Sequence, residues 1–172
     1  MSEFTRFDAP LYITYDQSAS RKLDKDYWRV AKSFRFYLDE DRAVNNEWTD
    51  YSFVGRWVFV PAGFLSDGAS IPKPFQSFYG PWGNYGQAAV LHDYLCEYLS
   101  ITVDGKPQPI TRKEADDIFK IALLALEVDH KDVEILTTAV LAYRLAARPV
   151  GPSNSIMKRR VEAAYNFEDL QS

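Results

Sequence analysis

The sequence predicts an α+β domain: a small N-terminal antiparallel sheet packed against a C-terminal bundle of about three main helices. Three observations carry this. Runs rich in aromatic and β-branched residues fill the chain up to about residue 65. Past about residue 70 the apolar spacing changes from the period of a strand to that of a helix. Thr111-Arg112-Lys113-Glu114 is a capping box that opens a helix. With 172 residues, 47% of them apolar and 15% aromatic, the chain is read as one domain, 1–172, with a substantial core.

Taken in order, Met1 to Pro10 is expected to be a lead-in. Leu11 to Tyr15 reads as a strand ending in a loop at Asp16-Gln17-Ser18. Tyr27 to Leu38 alternates imperfectly and reads as one long or broken strand with one buried face. Asp39 to Asn46 is charged and loop-like. Trp48 to Val60 is a candidate strand pair, firmest over Trp57 to Val60, and Pro61-Ala62-Gly63 ends it. Phe64-Leu65 then leads into an Asp67-Gly68 turn.

In the second half, Gly86 to Leu99 fits a helix with Ala88, Leu91, Leu95 and Leu99 on one side. Asp93 and Glu97 fall on the other side, and His92 falls beside Cys96 and Leu99. Asp104-Gly105-Lys106-Pro107 reads as a turn. The helix opened at Thr111 runs to about Val128 and buries Ala115, Ile118, Phe119, Ala122 and Leu126. Arg112 and Asp116, four apart, border that face, while Asp117 points further out. A third helix, Lys131 to Arg148, is apolar on most sides, which predicts a central position. Within it Arg144 falls amid Val133, Leu136 and Val140, a buried charge that needs a carboxylate. Residues 149–172 are expected to form a linker, a short basic helix capped by Ser155, and a tail. Lys158-Arg159-Arg160 would be its solvated face.

Composition narrows the function. A net charge of −4 argues against a general nucleic-acid binder, which would show a basic patch. The single cysteine, Cys96, excludes an internal disulfide and a multi-cysteine zinc site, and is expected to be an inert buried thiol. No run approaches a membrane span, and Glu3, Arg6 and Asp8 do not suit a signal peptide.

Function is expected in the stretch Pro61 to Tyr98, where polar groups stand among apolar ones and must be paired or used. It begins with the cluster Ser66-Asp67-Gly68-Ala69-Ser70 and ends with His92-Asp93. Between them, Phe75, Phe78, Tyr79, Trp82 and Tyr85 read either as core packing or as a groove that stacks a sugar or nucleobase.

Three blocks, Pro61 to Pro72, Ala88 to Leu95 and Arg112 to Phe119, follow the patterns P-x-G-F-x-[ST]-D-G-A-S-I-P, A-A-x-L-H-D-Y-L and R-x-x-A-D-x-x-F. In pattern and order they resemble the domain of unknown function DUF1353, which occurs in tailed bacteriophages and as prophage genes in bacteria. The resemblance implies a phage setting, in the cytoplasm of an infected bacterium or in the virion, with a virion or host protein as partner. It implies no activity, so the chemistry rests on the residues.

Two versions of a hydrolytic site are open. In one, His92 acts as general base on Ser70 or water, an Asp such as Asp67 orients the ring, and Arg112 joins the catalytic set. In the other, Asp67, His92, Asp93 and Asp116 hold one divalent metal, Mg²⁺ or Mn²⁺ rather than Zn²⁺, which activates water. The spacing around Ser70 is not that of a Gly-x-Ser-x-Gly elbow, and His130 is the second and last histidine of the chain. The third reading is structural: Asp67 serves its turn, His92 bonds Asp67 or Asp116 in the core, and Arg112 pairs with Asp116. The protein is then a non-enzymatic virion or host-interaction factor.

Overall fold

The stretch read as one long or broken strand from Tyr27 is broken into two. In the computed structural model, which describes residues 7–38, 55–68, 83–149 and 156–164, the chain bends after Val30 and its halves enter different sheets. Strand β2 (Trp28–Val30) lies between β1 (Ile13–Tyr15) and β5 (Leu65–Ser66) in a three-stranded antiparallel sheet. Strand β3 (Phe34–Tyr37) starts a second antiparallel sheet, ordered β3, β4 (Arg56–Val60), β6 (Ser100–Val103), β7 (Lys106–Pro109). The alternation read in the sequence is real there: Phe34 and Phe36 are buried, as are Val58 and Val60 opposite them. Phe7, from the expected lead-in, is 5% exposed and packs edge-on against Phe34 and tilted against Phe36.

The architecture is α+β, with two small antiparallel sheets and five helices among the described residues. Two elements were not read from the sequence, a short helix and a hairpin. Asp16 was expected in a loop, yet its side chain caps a short helix, α1 (Gln17–Leu23), by accepting the Ala19 N–H at 2.8 Å. The Asp104-Gly105 turn is the tip of the β6–β7 hairpin. Both residues have positive φ, 49° and 79°, as a two-residue type I′ turn requires. Pro107 and Pro109 look like strand breakers in the sequence, but β7 is the sheet edge, where a missing N–H donor costs nothing. The second sheet is thus completed from the C-terminal half.

Helix α2 (Gly86–Tyr98) occupies the centre, with every residue from Gly86 to His92 buried. Helix α3 (Arg112–Ala125) packs on it, capped as expected by Thr111 Oγ1, which accepts the Glu114 N–H at 3.1 Å. Helix α4 (His130–Ala147) packs on α3. It is not the central helix its composition suggested. Only Val133, Leu136 and Val140 are buried, and Tyr143 and Leu145 of its last turns are 63% and 62% exposed. Helix α5 (Ile156–Ala163) is the expected short basic helix, lying against α1. Its one buried residue is Lys158, which corrects the expectation of a solvated basic face. Ser155 and the loop read at 39–46 lie outside the described residues.

Candidate functional site

Three elements bring a polar group to one point. Helix α2 turns His92 toward α3, where Asp116 stands one turn inside the capped N-terminus; α4 supplies Arg144 from its last turn. The His92 Nε2–H donates to Asp116 Oδ1 at 2.8 Å, and the Arg144 Nε–H donates to Asp116 Oδ2 at 2.7 Å. Asp116 is thus the carboxylate that the position of Arg144 called for. Arg144 is half-buried rather than sealed, with its side chain 26% exposed. The imidazole lies 4.7 Å from the Phe119 ring, centroid to centroid, and Cys96 Sγ is 3.5 Å from His92 Nε2.

These contacts set the charges. Burial pulls the His92 imidazole down, but the hydrogen bonds with Asp116 and Cys96 outweigh it and lift its pKa from the usual 6.5 to about 9. Burial pushes the Asp116 carboxyl up, and the bonds from His92 and Arg144 bring it below its ordinary value. At neutral pH His92 is an imidazolium and Asp116 a carboxylate.

The same groups line a cavity of about 620 Å³ between α2, α3, α4 and the β2–β5 edge. Asp67 lines it from the end of β5, ion-paired to Lys25, and Arg112 lines it from the start of α3. Asp93 lines it from α2 and accepts the hydroxyl of Ser66, itself 1% exposed. The cavity therefore gathers Asp67, His92, Asp93, Arg112 and Asp116, all named from the sequence. Among them, His92 and Asp116 are in direct contact. Asp67 is bonded by Lys25, and the oxygens of Asp116 accept from His92 and Arg144. Among the described residues, no three His, Cys, Asp or Glu side chains are grouped so as to hold a metal ion. Ser70 and the aromatics Phe75, Phe78, Tyr79 and Trp82 lie outside the described residues; Tyr85 is core, 1% exposed.

Sequence reasoning set Cys96 beside His92 but read it as an inert buried thiol; it is half-buried, in the cavity wall and against His92. The same reasoning placed Glu97 on the side of the helix away from the apolar residues and named no partner for it. Glu97 is 3% exposed, ion-paired to Lys158, with Arg159 Nε 3.8 Å from its Oε1. Burial outweighs the pull of Lys158 and raises the Glu97 carboxyl. The signal for this pair was the basic run of α5.

No solved structure matches the chain. Over 73 residues, 38% of its length, the chain is 42% identical to the uncharacterized protein y4jT of Sinorhizobium fredii. The matched segment is 21% of that protein, so the chain spans about a fifth of the relative. No helix among the described residues is long and apolar enough to cross a membrane. The family described as a protein of unknown function, DUF1353, matches residues 43–140, more than half of the chain and including the whole His92–Asp116 pair, and the chain belongs to that family.

Proposed function

We propose that the cavity is the active site of a small hydrolase working by general acid–base catalysis. The observation that carries this is the 2.8 Å bond between His92 and Asp116 in the wall of a cavity large enough for a small molecule. A charged dyad at such a wall is what proton transfer to a leaving group needs. His92, protonated at neutral pH, is the acid rather than the base expected from the sequence. Asp116 and Arg144 are positioning residues: they fix the ring and hold its proton. Asp93, steadied by Ser66, is the carboxylate that directs a water. Arg112 and the Lys25–Asp67 pair flank the substrate. Ser70 remains the alternative nucleophile to water, in the form of the proposal where His92 is neutral and acts as its base. The metal-free form is the better supported, because Asp67, Asp93 and Asp116 each face a different partner. Elemental analysis of untagged protein tests the metal form with Mg²⁺ or Mn²⁺. The phage setting and a place in the infected cytoplasm or virion rest on the family resemblance.

A second reading is favoured by one observation: Asp116 ties α2 to α4 through α3, with His92 5% exposed. In that reading the dyad is a structural clamp in a virion or host-interaction protein. Esterase, phosphoesterase and amidase turnover by wild type and His92→Gln decides between them. Loss of turnover with a melting temperature within a few degrees supports the hydrolase. A folded wild type that turns over no substrate class, with His92→Gln markedly less stable, refutes it.

A further inference from the structure

Asp116 is one carboxylate between two cations, with His92 at 2.8 Å and Arg144 at 2.7 Å. With His92 protonated, the group of three carries a net positive charge that its own carboxylate does not cancel. The other end of the cavity has ion pairs of its own, Lys25 with Asp67 and Lys158 with Glu97. Around the whole lining, five cationic side chains stand against four carboxylates, counting His92 as charged. At the Asp116 end Arg112 also lines the wall, and Asp93 acts on His92 from α2.

Arg144 is the group best placed to use the excess. Among the described residues its one hydrogen bond runs from Nε to Asp116, which fixes the plane of the guanidinium. Its other N–H donors have no hydrogen-bond partner among the described residues, and the side chain is 26% exposed at the cavity wall. A planar, anchored fork of N–H donors matches the geometry of a phosphate or carboxylate group. In a half-buried site, attraction to an anion is screened less than on the surface.

We propose that the Asp116 end of the cavity is an oxyanion-binding site, in which Arg144 grips a phosphate or carboxylate group of a small molecule while His92 and Arg112 add charge. The volume of about 620 Å³ leaves room for the rest of that molecule. The inference rests on the reading of the cavity as the active site and names its substrate class: anionic esters or amides rather than neutral ones.

The test uses the full chain and its two histidines. His92 lies in the site, and His130, exposed at the start of α4, serves as internal control. Ring resonances of both are followed by NMR at pH 7 while inorganic phosphate, and separately acetate, replaces chloride at constant ionic strength. A saturable shift of His92, half-complete on the order of 1 mM, with His130 unmoved, is expected for at least one anion. Phosphate alone identifies a phosphoryl ligand, acetate alone a carboxylate. Arg144→Lys should weaken binding roughly tenfold, because the ammonium keeps the charge and loses the fork. No saturable shift with either anion, or equal shifts of both histidines, overturns the proposal whatever the variant does. Binding without turnover of any ester leaves the oxyanion site standing and sinks the hydrolase. Turnover of neutral esters with no anion-induced shift does the reverse.

Discussion

Glu97 of α2 and Lys158 of α5 form an ion pair closed off from solvent, their side chains 4% and 10% exposed. Lys158 also reaches Glu162 Oε1 at 3.0 Å and lies 4.2 Å from the Phe64 ring centroid. Ile156 and Met157, the large apolar residues beside it, are exposed. The C-terminal helix is therefore held to the body by charge more than by apolar burial.

Removing one partner leaves the other charge buried without compensation. Lys158→Met should cost about 3 kcal/mol, read from urea unfolding, and should raise the hydrogen-exchange rate of α5 amides above that of α3. The double variant Glu97→Leu/Lys158→Met should be more stable than Lys158→Met. If the single variant unfolds at the wild-type urea midpoint, α5 is not held by this pair.

His92 predicts a pH dependence. Its folded pKa of about 9 lies above its unfolded value of 6.5, so its stabilisation is complete below pH 6.5 and is lost as pH rises through 9. The amount is roughly 3 kcal/mol at most. Asp116 acts at the other end of the scale: its folded value is lowered, so its contribution is present above 3.8 and is lost as pH falls through that lowered value. Urea midpoints at pH 6, 8 and 9.5 should fall in that order. A flat series would show that His92 is not held as an imidazolium.

Asp116→Asn separates the two influences on His92. Without the carboxylate, burial acts with little to oppose it, and the midpoint of the ring's NMR titration should drop from about 9 to 6.5 or below. Arg144→Met should cost only about 1–2 kcal/mol, because its side chain is 26% exposed and solvent screens part of the pair. A titration midpoint still near 9 in Asp116→Asn would mean that another group holds the proton.

The hairpin tip provides a test away from the cavity. Gly105 has φ 79°, and Asp104 Oδ1 accepts the Gly55 N–H at 2.6 Å. Gly105→Ala should cost about 1 kcal/mol through the left-handed backbone alone, and Asp104→Ala about 1–2 kcal/mol through both backbone and hydrogen bond. Neither should move the His92 titration. A shift there would show that the hairpin and the cavity are coupled.

What the sequence determined is local. Thr111 caps its helix through the Glu114 N–H because a cap needs only neighbours three residues apart, and the alternation of Phe34 with Phe36 and Val58 with Val60 followed from the period of a strand. The same logic showed that Arg144, on an apolar stripe, needs a carboxylate, and set His92 beside Cys96 on one helix. Tertiary structure alone decided which carboxylate met Arg144, since Asp116 lies 28 residues away and comes near only when α4 folds back on α3. It made α2 the central helix and left the richly apolar end of α4 exposed, because burial depends on what packs against a face and not on the face's composition. It also set Glu97 on Lys158, 61 residues apart. Two charges that each look solvent-bound along the chain are buried together, because only as a pair do they offset the cost of leaving water.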